Sequence, residues 1–240
     1  ASQIGALIQE KEAERNHYDK LERYYRGEHD ILNRQAKSRN LPNNRVVVNH
    51  AKYIADMSSS YLLGNPLSYT GENLDDFLYA LRAADSQSHD ICLEKKLAIY
   101  GSAYELVFPG PTILEPLQLA AIDPRDAFVV YDDSLHSRPI LGVYFYMVQQ
   151  KRKVFAYTEK ECIEYSQRQG ALQEIRRQPN PLGLIPLLEY RNNEDGSGDF
   201  EEVLTLIDAY NILTSDRVND KEQFVNCLLL LTNCNIDPVT

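Results

Sequence analysis

Hydrophobic residues near the start of the chain recur at helical spacing. These apolar positions are Ile4, Leu7, Ile8, Tyr18, Leu21 and Tyr25. Because an α-helix brings residues three or four apart onto one face, the spacing predicts an amphipathic helix, and Ser2 is a suitable N-cap for it. The intervening positions are dense in Glu, Lys and Arg, so we expect the opposite face to be solvated.

Further helices are predicted between this segment and Gly101. One begins after Asn49, a favourable N-cap, and two more cover Leu74 to Leu81 and about Ser88 to Tyr100. The helix after Asn49 has a narrow face of small and apolar residues, namely Ala51, Ile54, Ala55, Ser58 and Leu62. Gly64 and Gly101 are interpreted as C-cap residues in the left-handed conformation, which is a backbone requirement and not a binding site.

Beyond Gly101 the hydrophobic pattern changes to alternation, which is typical of β-strands. The strand-like segments are Tyr104 to Phe108, Leu114 to Ile122, Ala127 to Tyr131, Ile140 to Val148, Val154 to Tyr157, Cys162 to Ser166, Leu172 to Arg176 and Leu187 to Tyr190. Turn-forming pairs separate them, which predicts antiparallel meanders. The sequence therefore predicts an α+β fold with N-terminal helices at 1–101, a central antiparallel β-rich region at 102–191, and a loop with a long C-terminal helix at 192–240.

The polar, glycine-containing loop at 192–198 is the expected hinge between the sheet region and the last helix. Asp199 is interpreted as the N-cap of that helix, with Glu202 as its capping-box partner. An apolar stripe is predicted to anchor the helix to its own subunit, and it consists of Val203, Leu206, Ile207, Tyr210 and Leu213.

A second face of the same helix is acidic. Asp208, Asp216 and Asp220 are four or eight residues apart and so lie on one side. One interpretation is a solvated surface, which is how charge runs usually behave. The other is that this face meets a neighbouring subunit or lines a channel wall.

The composition restricts the function classes. The 240 residues carry a formal net charge of −10, and a protein that grips duplex DNA does so by neutralising phosphates with Lys and Arg, so tight nonspecific DNA binding is not expected. No apolar run reaches the about 18 residues that a membrane span needs, and no secretory leader is recognised. The four cysteines form no Cys-x-x-Cys pair, which argues against a zinc site and against a disulfide scaffold.

Enzymatic motifs are absent from the sequence. It has no Gly-x-x-x-x-Gly-Lys-Ser/Thr loop, its five histidines show no His-Glu-x-x-His spacing, and it has no nucleophile elbow. The pair Asp132 and Asp133, with Glu189, is the remaining candidate for carboxylate-dependent hydrolysis, although Asp-Asp after a strand is far more often a turn. We therefore predict no catalytic residue, no metal ligand and no cofactor.

Six segments, taken in order, carry a family resemblance. They are Tyr25 to Ile31, Pro42 to Asn49, Tyr61 to Pro66, Ala98 to Glu105, Pro124 to Asp133, and Ile185-Pro186 followed by the acidic helix. Each is weak alone, because Leu-Gly-Asn-Pro, for example, is a common way for a helix to end. Together they resemble the portal proteins of tailed bacteriophages, of the type found in phages of Gram-positive bacteria.

This resemblance implies a structural protein and not an enzyme. It implies a homo-oligomeric ring of about twelve copies at one capsid vertex. The implied partners are the terminase motor, scaffold and capsid proteins, head-completion proteins, and double-stranded DNA that passes through without tight binding. The implied locations are the virion and, during assembly, the host cytoplasm. The chain resembles the wing region, so a partial portal fold and a fragment of a longer protein are expected.

Asn43, Asn44 and Arg45 are open to two interpretations. They are either a turn followed by a surface charge, or residues with a packing or subunit-contact role, because in the family this block precedes the helix that begins the compact body of the protomer. Two other function classes also stay open, a carboxylate-dependent hydrolase and a prophage protein–protein adaptor.

Overall fold

The structure, a computed structural model, describes residues 2–36, 41–149, 151–168, 171–225 and 232. The helices are α1 (Ser2–Ala13), α2 (Arg15–Tyr25), α3 (His50–Leu63), α4 (Asp75–Ala83), α5 (Ser86–Tyr100) and α6 (Leu204–Val225). The strands are β1 (Ser102–Thr112), β2 (Glu115–Ile122), β3 (Ala127–Tyr131), β4 (Pro139–Val148), β5 (Lys151–Tyr157), β6 (Glu161–Arg168), β7 (Ala171–Pro179) and β8 (Leu187–Arg191). Short 3-10 turns lie at Asp30–Asn33 and Glu201–Val203. This order confirms the predicted α+β fold.

The predicted first helix is two helices, because the segment turns at Glu14 between α1 and α2. The two helices bury their apolar residues in different hydrophobic cores. α1 places Ile4 and Ile8 against the larger sheet, whereas α2 places Leu21 and Tyr24 among the other helices. The N-terminal segment therefore joins the sheet region to the helical region.

The helical core is built on small residues. Ala51 and Ala55 of α3 and Ala98 of α5 are fully buried in one cluster, and the absence of bulky side chains there lets the helices approach closely. Asn49 caps α3 as predicted, since its side-chain oxygen accepts a hydrogen bond from the Lys52 N–H at 3.0 Å.

The two predicted C-cap glycines differ in conformation. Gly101 ends α5 with φ of +75°, which confirms the left-handed prediction. Gly64 is the C-cap of α3, but its φ of −61° is right-handed, so the predicted left-handed conformation was wrong there. Pro66 follows shortly after and has no N–H to continue the helix, so α3 ends without a left-handed residue.

Two antiparallel sheets follow α5, with strand orders β2-β1-β8 and β3-β4-β5-β6-β7. Every strand-like segment of the sequence is a strand. The alternation works as expected, since Val154 and Ala156 of β5 are buried and Lys151 is exposed. Val143 of β4 joins them in the core that α1 covers.

The loop at 192–198 docks onto the end of α5. The Asn192 N–H donates to the Gly101 carbonyl at 2.9 Å, and the Asp199 N–H donates to the Ala98 carbonyl at 2.8 Å. A Cβ atom on Gly101 would lie 2.0 Å from the Gly196 carbonyl oxygen, so this close approach needs glycine. The predicted role of the loop as a hinge stays a prediction.

The last helix begins later than expected. Asp199 is not its N-cap, because its side chain accepts from the Asn192 amide at 2.7 Å and α6 starts only after the 3-10 turn. Phe200 lies between Asp199 and this turn, and its side chain is fully buried in the helical core. The buried Phe200 ring therefore holds the segment that leads into α6 against the helical core.

Candidate assembly surface

The inward side of α6 is polar. Asn211, Ser215 and Asn219 are four residues apart and lie on one side of the helix. Their side-chain oxygens accept hydrogen bonds from the N–H groups of an extended segment, residues 43–49, which we call the strap. The three donor–acceptor pairs are Val48 to Asn211 at 2.8 Å, Val46 to Ser215 at 2.9 Å, and Asn44 to Asn219 at 2.6 Å.

The regular spacing of these bonds has a geometric cause. Four residues of an α-helix rise about 6 Å, and two residues of extended chain span about 6.6 Å. Every fourth helix residue can therefore meet every second strap residue. The strap is attached to α6 through its own backbone N–H groups and the side-chain oxygens of the helix.

His29 extends this network into the interior. The Asn211 amide nitrogen donates to Nδ1 of His29 at 2.7 Å, because the amide oxygen is already the acceptor for Val48. The other ring nitrogen, Nε2, therefore donates to the Tyr24 carbonyl at 2.9 Å. His29 is fully buried, and both of its ring nitrogens are hydrogen-bonded inside the protein, so it is a structural histidine.

Tyr24 joins the same cluster from α2. Its ring stacks on His29 with centroids 4.7 Å apart, and its hydroxyl donates to Asp208 at 2.8 Å. Burial, and then the hydrogen bond to Asp208, raise the pKa of Tyr24 far above its ordinary value. Asp208 is therefore held by its own subunit.

The other acidic residues of α6 differ from one another. Asp216 accepts a hydrogen bond from Arg34 at 2.6 Å, so it too contacts its own subunit, whereas Asp220 is exposed. The predicted role of Asp208, Asp216 and Asp220 at a neighbouring subunit or a channel wall stays a prediction.

The three residues of the Asn-Asn-Arg block have separate roles. Besides its N–H bond to Asn219, Asn44 donates through its amide to Glu222 at 2.5 Å. Arg45 donates to the Leu32 carbonyl at 2.7 Å. Asn43 lines a groove beside Asp220. Packing within the subunit is thus observed for two members of the block, and a subunit-contact role stays a prediction.

The predicted apolar stripe of α6 is confirmed for two of its five residues, since Ile207 lies in the helical core and Val203 packs against it, and it was wrong for the other three. Ile207 is buried, but Leu206, Tyr210 and Leu213 are exposed. The cause is that the inward side is taken by Asn211 and its neighbours, which need buried backbone partners from the strap. The signal that sequence reasoning missed is the repeat of polar residues at every fourth position of α6. This repeat matches every second residue of the strap, namely Asn44, Val46 and Val48.

Of the carboxylates considered for hydrolysis, Asp132 and Asp133 lie in the connection between β3 and β4, whereas Glu189 lies in β8 and pairs with Arg191. Oδ1 of Asp132 accepts from the Ser134 hydroxyl at 2.6 Å and from the Arg138 N–H at 2.8 Å. Hydrogen bonds from Ser134 and Arg138 hold the pKa of Asp132 below its ordinary value.

Among the described residues, no group of three or more His, Cys, Asp or Glu side chains has a metal-binding arrangement. No described helix is long and apolar enough to cross a membrane.

A cavity of about 580 Å³ lies between α1, α2 and both sheets. Its buried cation, Lys11, donates to Glu14 at 3.0 Å and to the Tyr18 hydroxyl at 3.3 Å. Arg191 on the opposite wall pairs with Glu189 at 3.2 Å. These charges are already matched within the protein, so the cavity does not point to a particular ligand.

Comparison with known proteins gives two matches. A family model described as "Phage portal protein, SPP1 Gp6-like" matches residues 4–239. The portal protein of Bacillus phage SPP1 is 22% identical over 232 residues, which are 89% of this chain and 46% of that relative. The chain thus spans about half the length of the curated relative that it matches.

Proposed function

The chain belongs to the SPP1 Gp6-like family of phage portal proteins, and we propose that the intact protein is one subunit of a closed ring at a single capsid vertex. The observation that carries this proposal is the family match, which extends across both the helical and the sheet regions of the fold. The ring contains about twelve copies and is built by repeating one heterologous contact until it closes.

In this role double-stranded DNA passes through the ring during packaging and ejection. The net charge of −10 supports passage without tight binding, because a surface that held many phosphates would retain the DNA. The partners are the terminase motor during packaging, scaffold and capsid proteins, and head-completion proteins afterwards. The protein works in the virion and, before that, in the host cytoplasm where heads assemble.

The proposed role is structural and needs no catalytic group. Asp132, the foremost carboxylate of the hydrolase alternative, is occupied by hydrogen bonds within its own turn. The strap network on α6 likewise consists of mutually satisfied groups. Such fully bonded buried networks rigidify a fold, which suits a subunit that must hold its shape in a ring.

Electron microscopy of the purified full-length protein tests the ring. We expect closed rings in negative-stain images and a matching mass in native mass spectrometry. Incorporation is tested by deleting the gene from the phage and supplying it in trans, with DNA-filled heads as the readout. A full-length protein that stays monomeric and is absent from particles would exclude the portal role and leave the adaptor as the better interpretation.

A further inference from the structure

The long helix α6 presents its apolar side to solvent. Leu206, Tyr210 and Leu213 have exposed fractions of 67%, 46% and 60%. Their spacing of four and three residues places them along one side of the helix. That side lies opposite the buried Asn211 and Ser215. Since an ordinary surface helix buries its apolar side and exposes its polar side, α6 has the arrangement of a helix that is covered on both sides.

Helix α3 has a second exposed apolar stripe. Tyr53, Met57 and Tyr61 are four residues apart, with exposed fractions of 63%, 58% and 86%. They lie on the opposite side from the buried Ala51 and Ala55. The small residues of α3 therefore serve its own subunit, whereas its large apolar residues face outward.

The two stripes meet at an aromatic contact. His50 is on the same side of α3 as Tyr53, and its ring contacts the ring of Tyr210 edge-on, with centroids 5.1 Å apart. The joined surface, which we call the α3–α6 face, consists of Tyr53, Met57, Tyr61, Leu206, Tyr210 and Leu213.

The size of this face is informative. With about 150–250 Å² for a fully exposed aromatic side chain, the exposed fractions of these residues correspond to a total on the order of 800 Å², tyrosine hydroxyls and main-chain atoms included. A stable protein–protein interface needs about 800 Å² per partner. The face therefore has the area of one side of a complete interface.

We infer that the α3–α6 face is covered by a second copy of this chain, and this inference rests on the proposed ring. In a ring each subunit uses two different surfaces, one toward each neighbour. The α3–α6 face is one of the two, and a different surface of the next copy covers it. The aromatic anchors Tyr61 and Tyr210 are of the type that dominates binding energy at interfaces.

The border of the face is polar, as interfaces require. Along α6 the stripe continues from Leu213 to the exposed Arg217 and Asp220, four and then three residues further on. On α3, Lys52 and Asp56 pair at 3.1 Å beside Tyr53. A charged rim around an apolar centre lets the neighbouring copy dock in one orientation.

Photo-crosslinking in the full-length protein identifies the occupant directly. A photoreactive phenylalanine analogue replaces Met57 or Tyr210 in separate preparations. A third preparation carries it at Leu135, which is 98% exposed in the connection between β3 and β4. We expect products of twice the subunit mass from the first two and little or none from the third. Because Tyr210 already contacts His50 of its own subunit, crosslinks within one subunit are expected beside these products. The absence of crosslinks between copies, or crosslinks to the part of the polypeptide beyond this chain or to a different protein instead, would overturn the inference.

Substitution tests the same face independently. In the double variant Tyr61→Gln/Leu213→Gln, which changes one residue on each helix, we expect the affinity between subunits to fall by about ten-fold or more. The matched control Leu135→Gln removes an equally exposed apolar side chain and should assemble normally. Unchanged assembly of the double variant would count against the inference.

The outcomes separate this inference from the proposed function. If the unaltered protein forms no rings, the proposed function fails. If it forms rings but Met57 and Tyr210 do not crosslink to another copy, the function stands and the assignment of this face fails.

Discussion

Asn211 is the residue on which the polar network depends. Its oxygen accepts from the Val48 N–H and its nitrogen donates to His29, so one side chain joins α6, the strap and the turn after α2. Because all three groups are buried or nearly so, none can exchange its partner for water without cost. The His29 tautomer is set by this bond and not by any catalytic requirement.

Replacing Asn211 should therefore lower the stability of the fold. The Asn211→Ala variant leaves the Val48 N–H and Nδ1 of His29 without partners, and each unsatisfied buried group costs about 1–3 kcal/mol. We expect the free energy of unfolding to fall by about 2–4 kcal/mol, measured by urea denaturation of the 240-residue chain. The control Thr205→Ala, at an exposed position of the same helix, should change it by less than about 0.5 kcal/mol. Equal effects of the two substitutions would contradict the network.

Gly101 tests a different kind of constraint. Gly101 and Gly183 both have positive φ, of +75° and +66°, so alanine at either costs about 1–2 kcal/mol for the left-handed backbone. Only at Gly101 would the new Cβ meet another atom, the Gly196 carbonyl oxygen at 2.0 Å, whereas nothing lies within 4 Å at Gly183. We expect Gly101→Ala to lower the urea midpoint at least twice as much as Gly183→Ala. Similar shifts would mean that the loop moves freely away from α5.

At the level of elements, local patterns predicted the strands and the presence of α6, but not which side of α6 is buried. The alternation in β5, with Val154 and Ala156 inward, is visible within the segment itself. The inward side of α6 depends on the strap, and the partner of Asn211 lies 163 residues away in the sequence. A hydrophobicity pattern cannot reveal a polar side whose hydrogen bonds go to such a distant backbone, so Leu206, Tyr210 and Leu213 were wrongly assigned to the buried side.

The two sides of α6 can be distinguished by adjacent residues. Ile207 is buried, so Ile207→Ala should lower the free energy of unfolding by about 2–4 kcal/mol. Leu206 is exposed, so Leu206→Ala should change it by less than about 0.5 kcal/mol. Thermal melts of the two single variants provide the comparison. A larger loss for Leu206→Ala would restore the stripe that the sequence predicted.

The candidate site was only partly predictable for a related reason. The Asn-Asn-Arg block stands out in the sequence, and Asn44 does anchor the strap to α6. Its partner was not predicted, because Asn219 is distinguished in the sequence only by its place in the polar repeat of α6, and the segment that this repeat binds is shown only by the fold. The α3–α6 face was missed because large apolar residues on a helix are normally taken as core, and only the fold shows that the small residues of α3 fill that role.

For the molecule as a whole, buried tyrosines predict a loss of stability at high pH. Burial raises the pKa of Tyr104 and of Tyr24 far above the ordinary value near 10. Above pH 10 the unfolded chain releases these protons while the folded protein retains them, so stability is complete below pH 10 and falls as pH rises, by about 1.4 kcal/mol per pH unit for each such tyrosine. Urea midpoints between pH 8 and pH 11 measure this, and Tyr104→Phe should make the loss shallower. An unaltered slope would mean that Tyr104 does not contribute.

The net charge of the whole chain predicts how strongly it binds DNA. Counterion release favours binding only where Lys and Arg replace the cations around phosphates, and this chain has 25 basic against 35 acidic residues. We expect duplex DNA to bind with a dissociation constant near or above about 10⁻⁴ M at moderate salt. Fluorescence anisotropy with a labelled duplex measures this, and circular dichroism of the same sample confirms that the chain is folded. Submicromolar binding with a steep salt dependence would instead identify a basic patch whose local field outweighs the net charge, and the proposed passage of DNA through a ring would then involve attraction to the wall.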